Sequence, residues 1–556
     1  MIIPHAPADA FAFYQDTMRK CTATRSERRA RYNTLRMYYS YGADPSQTQG
    51  PVYNKIFSSV DQVASFMYSH ETTRFTIELG ESVSTDSKVG ETRKIPAMKY
   101  ALSKEWNASN TDIIFGSSIL WAFALGSMFV KAIPGTKGSI MPGVVDPEDL
   151  SVLREDVMGL YNQEAFVHSY LITKTQLANE LTMAEHKRKG EILERVTGSP
   201  RTQNQGDGGV FDHIVVSAVT PNIVGALRGG MWTNMAQFTK AKVSESLIEM
   251  HELYVFDDAI DDYRMVTLAA PEEIIWDRPL ERAFLKNELP FVQICPSPNP
   301  HYFYGDSEVE RLIPLQEKLN RRLEEIDHLL ELQAKPPKSA SGYSSPIDEI
   351  ALAMDSPNGL VNTDMPGAKM DVHSPAIPED LYREVHEIIS MFDDIIGLTN
   401  INQGRGEPGV RSQGHASQLS RLGSSRIKKR ALVIEDSLEK LATLYLQIKR
   451  RYDKRRMRAT EGEEFIAAQF TDDFIAKVDA HSNSPIFMED QTALAFKLFE
   501  VKAIDRDELL DLVEVPMREL LKERLKAKIE PAEAQAASEA HKLEERKLQL
   551  HVGGKK

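Results

Sequence analysis

The chain has 556 residues, which is enough for several domains and a large hydrophobic core. Its 42% hydrophobic and 27% charged residues are ordinary for a globular protein. It carries 67 Lys and Arg against 81 Asp and Glu, a net charge of −14. That balance argues against a protein that grips DNA phosphates over a strongly basic surface.

The start of the chain and its cysteines indicate the compartment. The first residues lack a basic region and are interrupted by Pro4, Pro7 and Asp9, so no secretion signal is expected. The two cysteines, Cys21 and Cys295, are far apart in sequence and form no metal or redox motif. No disulfide framework is predicted, which suits assembly in a reducing cytoplasm.

The first half predicts a mixture of helices and short strands. A first helix is expected over 9–39, with basic residues that are either solvated or face an acidic neighbouring subunit or DNA. These basic residues are Arg19, Lys20, Arg25, Arg28, Arg29 and Arg31. Further helices are expected at 52–69 and 94–109, and a loop at 197–209. The strand-like runs are 165–172, 213–219, 246–256 and 263–268.

One uncharged stretch, 113–130, reaches the lower bound for a membrane span. Glycines and serines interrupt it, which favours a different interpretation. We predict a buried helix over 112–125, a turn at Gly126 and a strand over 128–133.

An aspartate cluster lies between two of the strand-like runs. Asp257, Asp258, Asp261 and Asp262 could supply the convergent oxygens of a cation site, or the acids of a metal-dependent nuclease. Their position favours a solvated hairpin turn instead. The chain also lacks the common zinc-protease, serine-hydrolase, EF-hand and P-loop motifs. We therefore predict no catalytic residue, metal site or cofactor, and no enzymatic activity.

A long amphipathic helix is predicted to start near residue 308. Ser307 and Glu310 have the spacing of a capping box, and Pro314 would kink the helix or start a second one. Pro336 and Pro337 would end it, so the part from 314 to 334 would be roughly 31 Å long. The apolar stripe is Leu312, Leu315, Leu319, Leu323, Ile326 and Leu330. The alternative is an ordinary core helix.

The insert 335–377 contains six prolines and three glycines. It is interpreted as a compact projecting subdomain, with disorder as the alternative. Its apolar run, from Ile347 to Met354, and the preceding Tyr343 are candidate contact residues. A strand is possible at 359–362.

A second amphipathic helix is predicted after Pro378, with Gly397 as its cap. Its buried stripe would be Leu381, Val385, Ile388, Phe392 and Ile395. Its acidic face is either solvated or a surface to which DNA adheres poorly. That face includes Glu384, Glu387, Asp393 and Asp394.

A glycine-rich segment, 400–414, separates this helix from a very long one over 415–457. The segment carries two bases, Arg405 and Arg411, and one acid, Glu407. We predict a kink in the long helix at 423–425. Its strongly basic end is either a solvated or intersubunit face or a phosphate contact. Residues from about 484 onward are also predicted to be helical.

Several pieces of sequence, in this order, resemble the bacteriophage portal proteins, which form the ring through which DNA enters and leaves a viral capsid. The pieces are LPFV at 289–292, YGDSEVE at 304–310, Leu315, Gln316 and Asn320 on the first long helix, and FDDIIGLT at 392–399.

The resemblance implies an α+β, portal-like fold. A mixed wing domain, long stem helices, a projecting clip and a helical C-terminal crown would follow one another. The implied bounds are wing 1–300, stem helix 301–334, clip 335–377, second stem helix 378–399, tunnel loop 400–414, wing 415–483, crown 484–550 and tail 551–556.

The resemblance also implies a function. A dodecameric ring at the capsid vertex would pass double-stranded DNA during packaging and ejection, and would dock the terminase motor and then the tail adaptor. Capsid and scaffolding proteins would be further partners in a virion assembled in the host cytoplasm, with no membrane. The implied sites are the tunnel loop (Asn402, Arg405, Glu407, Arg411), the acidic stem face (Glu384, Glu387, Asp393, Asp394) and the clip (Tyr343, Ile347, Met354). The alternative is a helical adaptor or scaffold protein of the virion that forms no ring.

Overall fold

The structure is a computed structural model that describes most of the chain up to residue 478 and three short stretches beyond it. The described residues are 1–4, 6–45, 50–69, 73–81, 85–135, 138–184, 189–197, 247–269, 273–342, 346–355, 367, 369–397, 425–460, 462–478, 495–501, 503–505 and 509–510. The tunnel-loop segment and nearly all of the predicted crown lie outside them.

The chain divides into two units. The first comprises Met1–Met67 and Phe75–Lys477, and the second comprises Tyr68–Arg74 and Val478–Lys556. Of the second unit, the structure describes short stretches that include helical residues at 495–500.

The helices of the first unit range from one turn to more than seven. They are α1 (Pro7–Thr22), α2 (Arg25–Tyr41), α3 (Lys55–Ser65), α4 (Thr85–Ala108), α5 (Thr111–Leu125), α6 (Lys174–Met183), α7 (Lys189–Thr197), α8 (Leu280–Ala283), α9 (Glu308–Ala334), α10 (Ile347–Asp355), α11 (Glu379–Ile396) and α12 (Ser425–Tyr452).

The strands form small sheets. The first nine are β1 (Phe75–Leu79), β2 (Met128–Pro134), β3 (Ile140–Val145), β4 (Leu150–Val152), β5 (Ala165–Thr173), β6 (Leu247–Asp257), β7 (Asp262–Ala269), β8 (Glu273–Pro279) and β9 (Phe291–Ile294). The others are β10 (Lys338–Ser341), β11 (Lys369–Val372), β12 (Arg456–Arg458), β13 (Glu464–Ile466) and β14 (Phe474–Val478). The largest described sheet has the order β4-β5-β6-β7-β8, and a second has the order β3-β2-β9. The predicted mixture of helix and sheet is confirmed.

Successive side chains of a strand point to opposite faces of the sheet, and both faces of the five-stranded sheet are packed with buried apolar residues. Val167 and Leu253 face α1 and pack with Tyr14, while Leu177 of α6 packs over another part of the sheet. The strands predicted at 165–172, 246–256 and 263–268 are β5, β6 and β7, and the run 213–219 lies outside the described residues.

The aspartate cluster forms the β6–β7 hairpin, in which Asp257 pairs with Asp262. The Oδ1 atom of Asp257 accepts the N–H of Ala259 at 3.0 Å. The Oδ1 atom of Asp262 accepts the N–H of Tyr263 at 2.7 Å. The hairpin is confirmed, but its predicted solvation is wrong for Asp257 and Asp262, which are 5% and 3% exposed because their carboxylates bind backbone N–H groups.

The uncharged stretch is a buried helix, a turn and a strand, as predicted. It forms α5 and β2, joined at Gly126, whose φ is 101°. A Cβ atom at Gly126 would lie 2.9 Å from the carbonyl oxygen of Tyr304, so the close approach of these two backbone segments requires glycine. Within the described residues, we find no helix with the length and apolar content needed to span a bilayer.

The predicted first helix is two helices, α1 and α2, separated at residues 23–24. The interpretation of its basic residues as solvated, or as facing a neighbouring subunit or DNA, is wrong for Arg25, Arg28 and Arg31 of α2, which bind groups of the same chain. Arg25 binds Asp149 at 3.0 Å and Glu249 at 2.7 Å within the same chain. These carboxylates belong to the β3–β4 connection and to β6, which sequence periodicity does not bring together.

Three more arginines of α2 have the same kind of partner. Arg28 pairs with Glu155 and donates to the Ser151 hydroxyl at 2.6 Å. Arg36 is 3% exposed and binds Asp146 at 2.8 Å. Arg31 Nε donates to Glu310, at the start of α9, at 3.1 Å. Four arginines of α2 (Arg25, Arg28, Arg31 and Arg36) therefore bind acidic side chains of the first unit, and we call this series the ladder. Arg19 of α1, in contrast, lies at the surface beside Asp16.

Replacement of Arg36 should show how much this ladder contributes. Arg36→Ala removes the buried guanidinium that binds the carboxylates of Asp146 and Glu148, so the free energy of unfolding should fall by about 3–5 kcal/mol. Urea unfolding of the purified chain measures this change. Arg19→Ala, whose side chain is 82% exposed, is the control and should change it by less than about 0.5 kcal/mol. Equal effects would contradict the ladder.

A second set of buried ionisable side chains comprises Lys131 of β2, His168 of β5 and Glu252 of β6. Lys131 Nζ lies 2.5 Å from Glu252, and the His168 ring, 1% exposed, packs between Tyr170 and Phe291. Burial penalises the imidazolium and Lys131 repels it, and together they lower the pKa of His168 to about 4. His168 is therefore neutral in the folded chain at neutral pH.

This histidine should make stability depend on pH. Between pH 6.5 and about 4, the unfolded chain binds a proton at His168 that the folded chain does not, so stability should fall as the pH falls. The loss should be about 3 kcal/mol across that window. His168→Phe, which keeps a ring but cannot titrate, should flatten the pH dependence of the unfolding midpoint. The exposed His301→Gln serves as control, and an identical slope in all three proteins would refute the assignment.

Candidate functional site

The first predicted long helix is confirmed as α9, which continues through Pro314 for 27 residues. Ser307 caps it by accepting the N–H of Glu310 at 3.1 Å. The reciprocal half of the predicted capping box does not form, because the Glu310 carboxylate binds Arg31 of α2 instead. Ser307 also donates to the Ala124 carbonyl at 2.6 Å, which ties the helix start to the end of α5.

Two polar side chains on the buried side of α9, Gln316 and Asn320, form hydrogen bonds to neighbouring segments of the chain. We call this group of contacts the seat of α9. Gln316 Oε1 accepts the N–H groups of Lys55 and Ile56, at 3.1 and 3.3 Å, and so caps the start of α3. Gln316 Nε2 donates to Tyr53 O at 2.8 Å and to Asn320 at 2.9 Å. Asn320 in turn donates to the carbonyl of Gly42 at 2.8 Å. These two residues entered through the portal resemblance alone, and the structure gives them a physical role.

The second long helix is confirmed as α11, with Gly397 as its cap at φ 88°. Val385, Ile388 and Phe392 are buried as predicted, but the stripe ends on Ile396. Ile395 is 39% exposed, which contradicts its assignment to the stripe. The helix turns by about 100° per residue, so four residues after Phe392 bring the chain back to the buried side better than three do.

The four acidic residues assigned to the stem face point in different directions. Glu384 lies 2.8 Å from Lys318 and 2.9 Å from Arg322, both on α9. The hydrogen bond from Lys318 and the charge of Arg322 lower the pKa of this carboxyl. Its charge therefore joins the two long helices.

Asp393 also faces inward, because it is 9% exposed and binds the Lys55 ammonium of α3 at 2.9 Å. Glu387 and Asp394 are exposed, and Glu387 lies 3.9 Å from Arg383 of its own helix. The four residues do not share one continuous acidic face. A role opposite DNA stays a prediction, which the geometry allows for Glu387 and Asp394.

The insert between the two helices has its own elements. Its apolar run forms α10, which contains Met354, and Ile347 at its start is 84% exposed. Strands β10 and β11 pair antiparallel and bring the two ends of the insert together. Sequence reasoning missed these strands because Lys338–Ser341 has no apolar alternation. Tyr343 and the possible strand at 359–362 lie outside the described residues.

The tunnel-loop residues Asn402, Arg405, Glu407 and Arg411 also lie outside them, as does the start of the predicted helix over 415–457. Its described part, α12, ends at Tyr452 and not at residue 457, because β12 begins at Arg456. The predicted basic end is exposed at Arg451, Lys454, Arg455, Arg456 and Arg458, as the solvated-face interpretation expects, but not at Lys449. Lys449 is 1% exposed and binds Glu105 at 2.6 Å and Gly138 O at 2.8 Å, which excludes the predicted surface role for this residue.

Comparisons with known proteins give no family. Neither a protein-family model nor a curated protein matches the chain.

Solved structures that resemble the chain come from gene transfer agent (GTA) particles. The virion of the native particle gives a TM-score of 0.40 at 10% identity, covering 87% of this chain and 93% of that chain. The neck of the native particle, computed with C12 symmetry, gives 0.38 at 8% identity, with 86% and 92% covered. The neck of the empty particle, computed with C6 symmetry, gives 0.38 at 10% identity, with 86% and 92% covered. Likeness at this level identifies neither the family nor the activity of this chain.

Two other features of the first unit bring polar and titratable side chains together, a surface groove and a buried serine–histidine pair. A surface groove of about 520 Å³ lies between α2 and β6, lined by Arg25, Arg29, Glu249 and His251 among others. Beneath it, the Ser169 hydroxyl lies 2.9 Å from His251 Nδ1, but Ser169 is fully buried. In the part of the chain that is described, no group of three or more His, Cys, Asp or Glu side chains could hold a metal ion.

The two adjacent aspartates of α11, one facing inward and one outward, provide a matched test of the orientation of that helix. Asp393→Ala leaves Lys55, 8% exposed, without its carboxylate, so the free energy of unfolding should fall by about 3 kcal/mol. Asp394→Ala, at the next position but exposed, should change it by less than about 0.5 kcal/mol. Urea unfolding of both variants measures the difference. A larger loss for the Asp394 variant would show that the orientation of α11 is wrong.

Proposed function

We propose that the chain is a portal protein of a phage-like particle, one of many identical copies that form a ring-shaped channel at the capsid vertex. The observation that supports this is the unequal burial of the α9–α11 pair. The last buried residue of α9 is Ile326, and the first of α11 is Val385. The pair is therefore held firmly at one end, while its other end and the described part of the insert stay mostly exposed.

The exposed end carries apolar side chains that water does not favour. Leu330 and Tyr382 are each 44% exposed, and Leu352 of α10 is 77% exposed. A neighbouring copy that covered these side chains would remove apolar surface from water, which favours association. In the proposed ring, neighbouring copies of the pair pack side by side around the duct and cover these residues, as obligate assemblies do.

The proposed parts have separate roles. The segment 400–414, with Asn402, Arg405, Glu407 and Arg411, reaches the duct and contacts double-stranded DNA during packaging and ejection. Glu387 and Asp394 present negative charge, which repels the DNA backbone and lets it slide. Glu384 and Asp393 instead hold the helices in place.

The partners follow from these roles. The insert docks the terminase motor and then the tail adaptor, and the ring contacts capsid and scaffolding proteins in a virion assembled in the host cytoplasm. We propose no enzymatic activity for the chain itself, so the energy for DNA movement comes from the motor. The alternative is a helical adaptor or scaffold protein of the virion. The completed seat of α9 favours it, because one copy satisfies Gln316 and Asn320 without a neighbour.

The oligomeric state decides between these two functions. Mass measurement in solution and negative-stain images of the purified chain should show closed annular particles. A strict monomer at every concentration would support the adaptor and refute the portal.

Shortening the segment over 402–410 should leave the ring intact but reduce the DNA packaged or retained per particle, because the proposed DNA contact is lost. A deletion of equal length at 200–208, in another stretch rich in Gly, Asn and Gln, serves as control. Both variants are compared by particle mass and by nuclease-protected DNA. Normal DNA content in the 402–410 variant would contradict the assigned role.

A further inference from the structure

One buried carboxylate lies where three long helices begin or end. Glu308 is the first residue of α9 and is 2% exposed. Its Oε1 atom accepts hydrogen bonds from Arg430 of α12 at 2.7 Å, from Arg311 at 3.0 Å and from the Ser297 hydroxyl at 2.9 Å. A negative charge at a helix N-terminus is favoured by the helix dipole.

The same arginine also reaches the end of α11. Arg430 Nη1 donates to the Ile396 carbonyl at 3.2 Å, and Arg426 Nη1 donates to the Asp394 carbonyl at 3.3 Å. The last four carbonyls of a helix have no partner within the helix and carry its negative end. Two guanidinium groups therefore cap α11 from α12. The packing is close, because a Cβ atom on Gly397 would lie 3.3 Å from Arg426 Cδ.

These contacts join the start of α9, the end of α11 and the start of α12, whose residues are far apart in sequence. We name Glu308, Arg426 and Arg430 the carboxylate node. The Glu308 carboxylate opposes the positive end of α9, and the guanidinium groups of Arg426 and Arg430 oppose the negative end of α11.

We propose that the carboxylate node is a positioning device, which fixes the end of α11 against the first described turns of α12. The inference rests on the proposed function, because it is the node that would set the base of the DNA-contacting segment in each copy of the ring. Arg430 and Arg426 are positioning residues, since they act through helix ends and do not themselves contact DNA.

The node is separable from the packing of the helix pair. Helix α11 has its own buried stripe and the Asp393–Lys55 pair, and α9 has its seat at Gln316. Removal of Arg430 leaves Glu308 with Arg311 and Ser297, so the buried carboxylate keeps two donors. Loss of the node should therefore loosen the helix ends without unseating the pair.

Hydrogen exchange tests the hold on the helix ends directly. In Arg430→Gln, backbone amides at 393–397 and 425–430 should exchange at least about tenfold faster than in the unaltered chain, because a hydrogen bond from a charged group is lost. The control is Arg311→Gln. Arg311 binds the same carboxylate and is 43% exposed. Its ion pairs are with Glu308, the first residue of α9, and with Asp306, which lies just before that helix. Its exchange at these amides should match the unaltered chain.

The conservative replacement Arg430→Lys separates positioning from simple ion pairing. A lysine has one ammonium and can keep the pair with Glu308, but it cannot hold Glu308 and the Ile396 carbonyl with the two arms of a fork. Exchange in Arg430→Lys should therefore resemble that in Arg430→Gln. Normal protection in the lysine variant would overturn the positioning role. Arg426→Gln, whose side chain lies at the surface, gives the same test if the Arg430 variants do not fold.

Assembled particles give the functional measurement. Arg430→Gln should form rings of normal mass but protect less DNA from nuclease than Arg311→Gln does. Intact rings with normal exchange and normal DNA content would refute the node alone. Absence of rings in the unaltered chain would refute the proposed function, and with it the role of the node in the duct.

Discussion

A charge that leaves water must meet an opposite charge within hydrogen-bonding distance, and this constraint fixes how the long helices of the first unit meet. Lys449 of α12 binds Glu105 of α4 at 2.6 Å, and both are largely buried. Lys55 of α3 binds Asp393 of α11 in the same way. Such pairs tolerate little sliding, because a shift of one helical turn would move each charge away from its partner by about 5 Å. The apolar stripes supply most of the burial, while the ion pairs select one register.

The same constraint explains why the two halves of the α9–α11 pair differ. The inner half meets α3, α5 and α12 through specific polar contacts, such as those of Gln316 with the start of α3. Among the described residues, the outer half has no buried residue in α9 beyond Ile326 and none in α11 before Val385. A rigidly seated inner half and an exposed outer half suit a part of the chain that carries an assembly surface. The end of α11 and the first described turns of α12 also meet, through Arg426 and Arg430.

Periodicity and capping determined much of this fold from the sequence. The stripe of α9 and the glycine at 397 are local signals, and both long helices follow them. The turn at Gly126 and the hairpin at Asp257–Asp262 were also predictable, because glycine and aspartate favour particular turn conformations. Of the candidate site, the two helices and their order could be predicted in this way. The function of the segment between them came from resemblance alone.

Tertiary structure decided which polar residues face inward. Asp393 and Asp394 are identical side chains at adjacent positions, and helix geometry leaves one against Lys55 and the other in water. Likewise, the basic end of α12 looked like a surface, yet Lys449 is buried because Glu105, more than 300 residues earlier, lies beside it. Local sequence sets backbone conformation, since that depends on a residue and its near neighbours. Burial and ion pairing depend on residues that only the folded chain brings together.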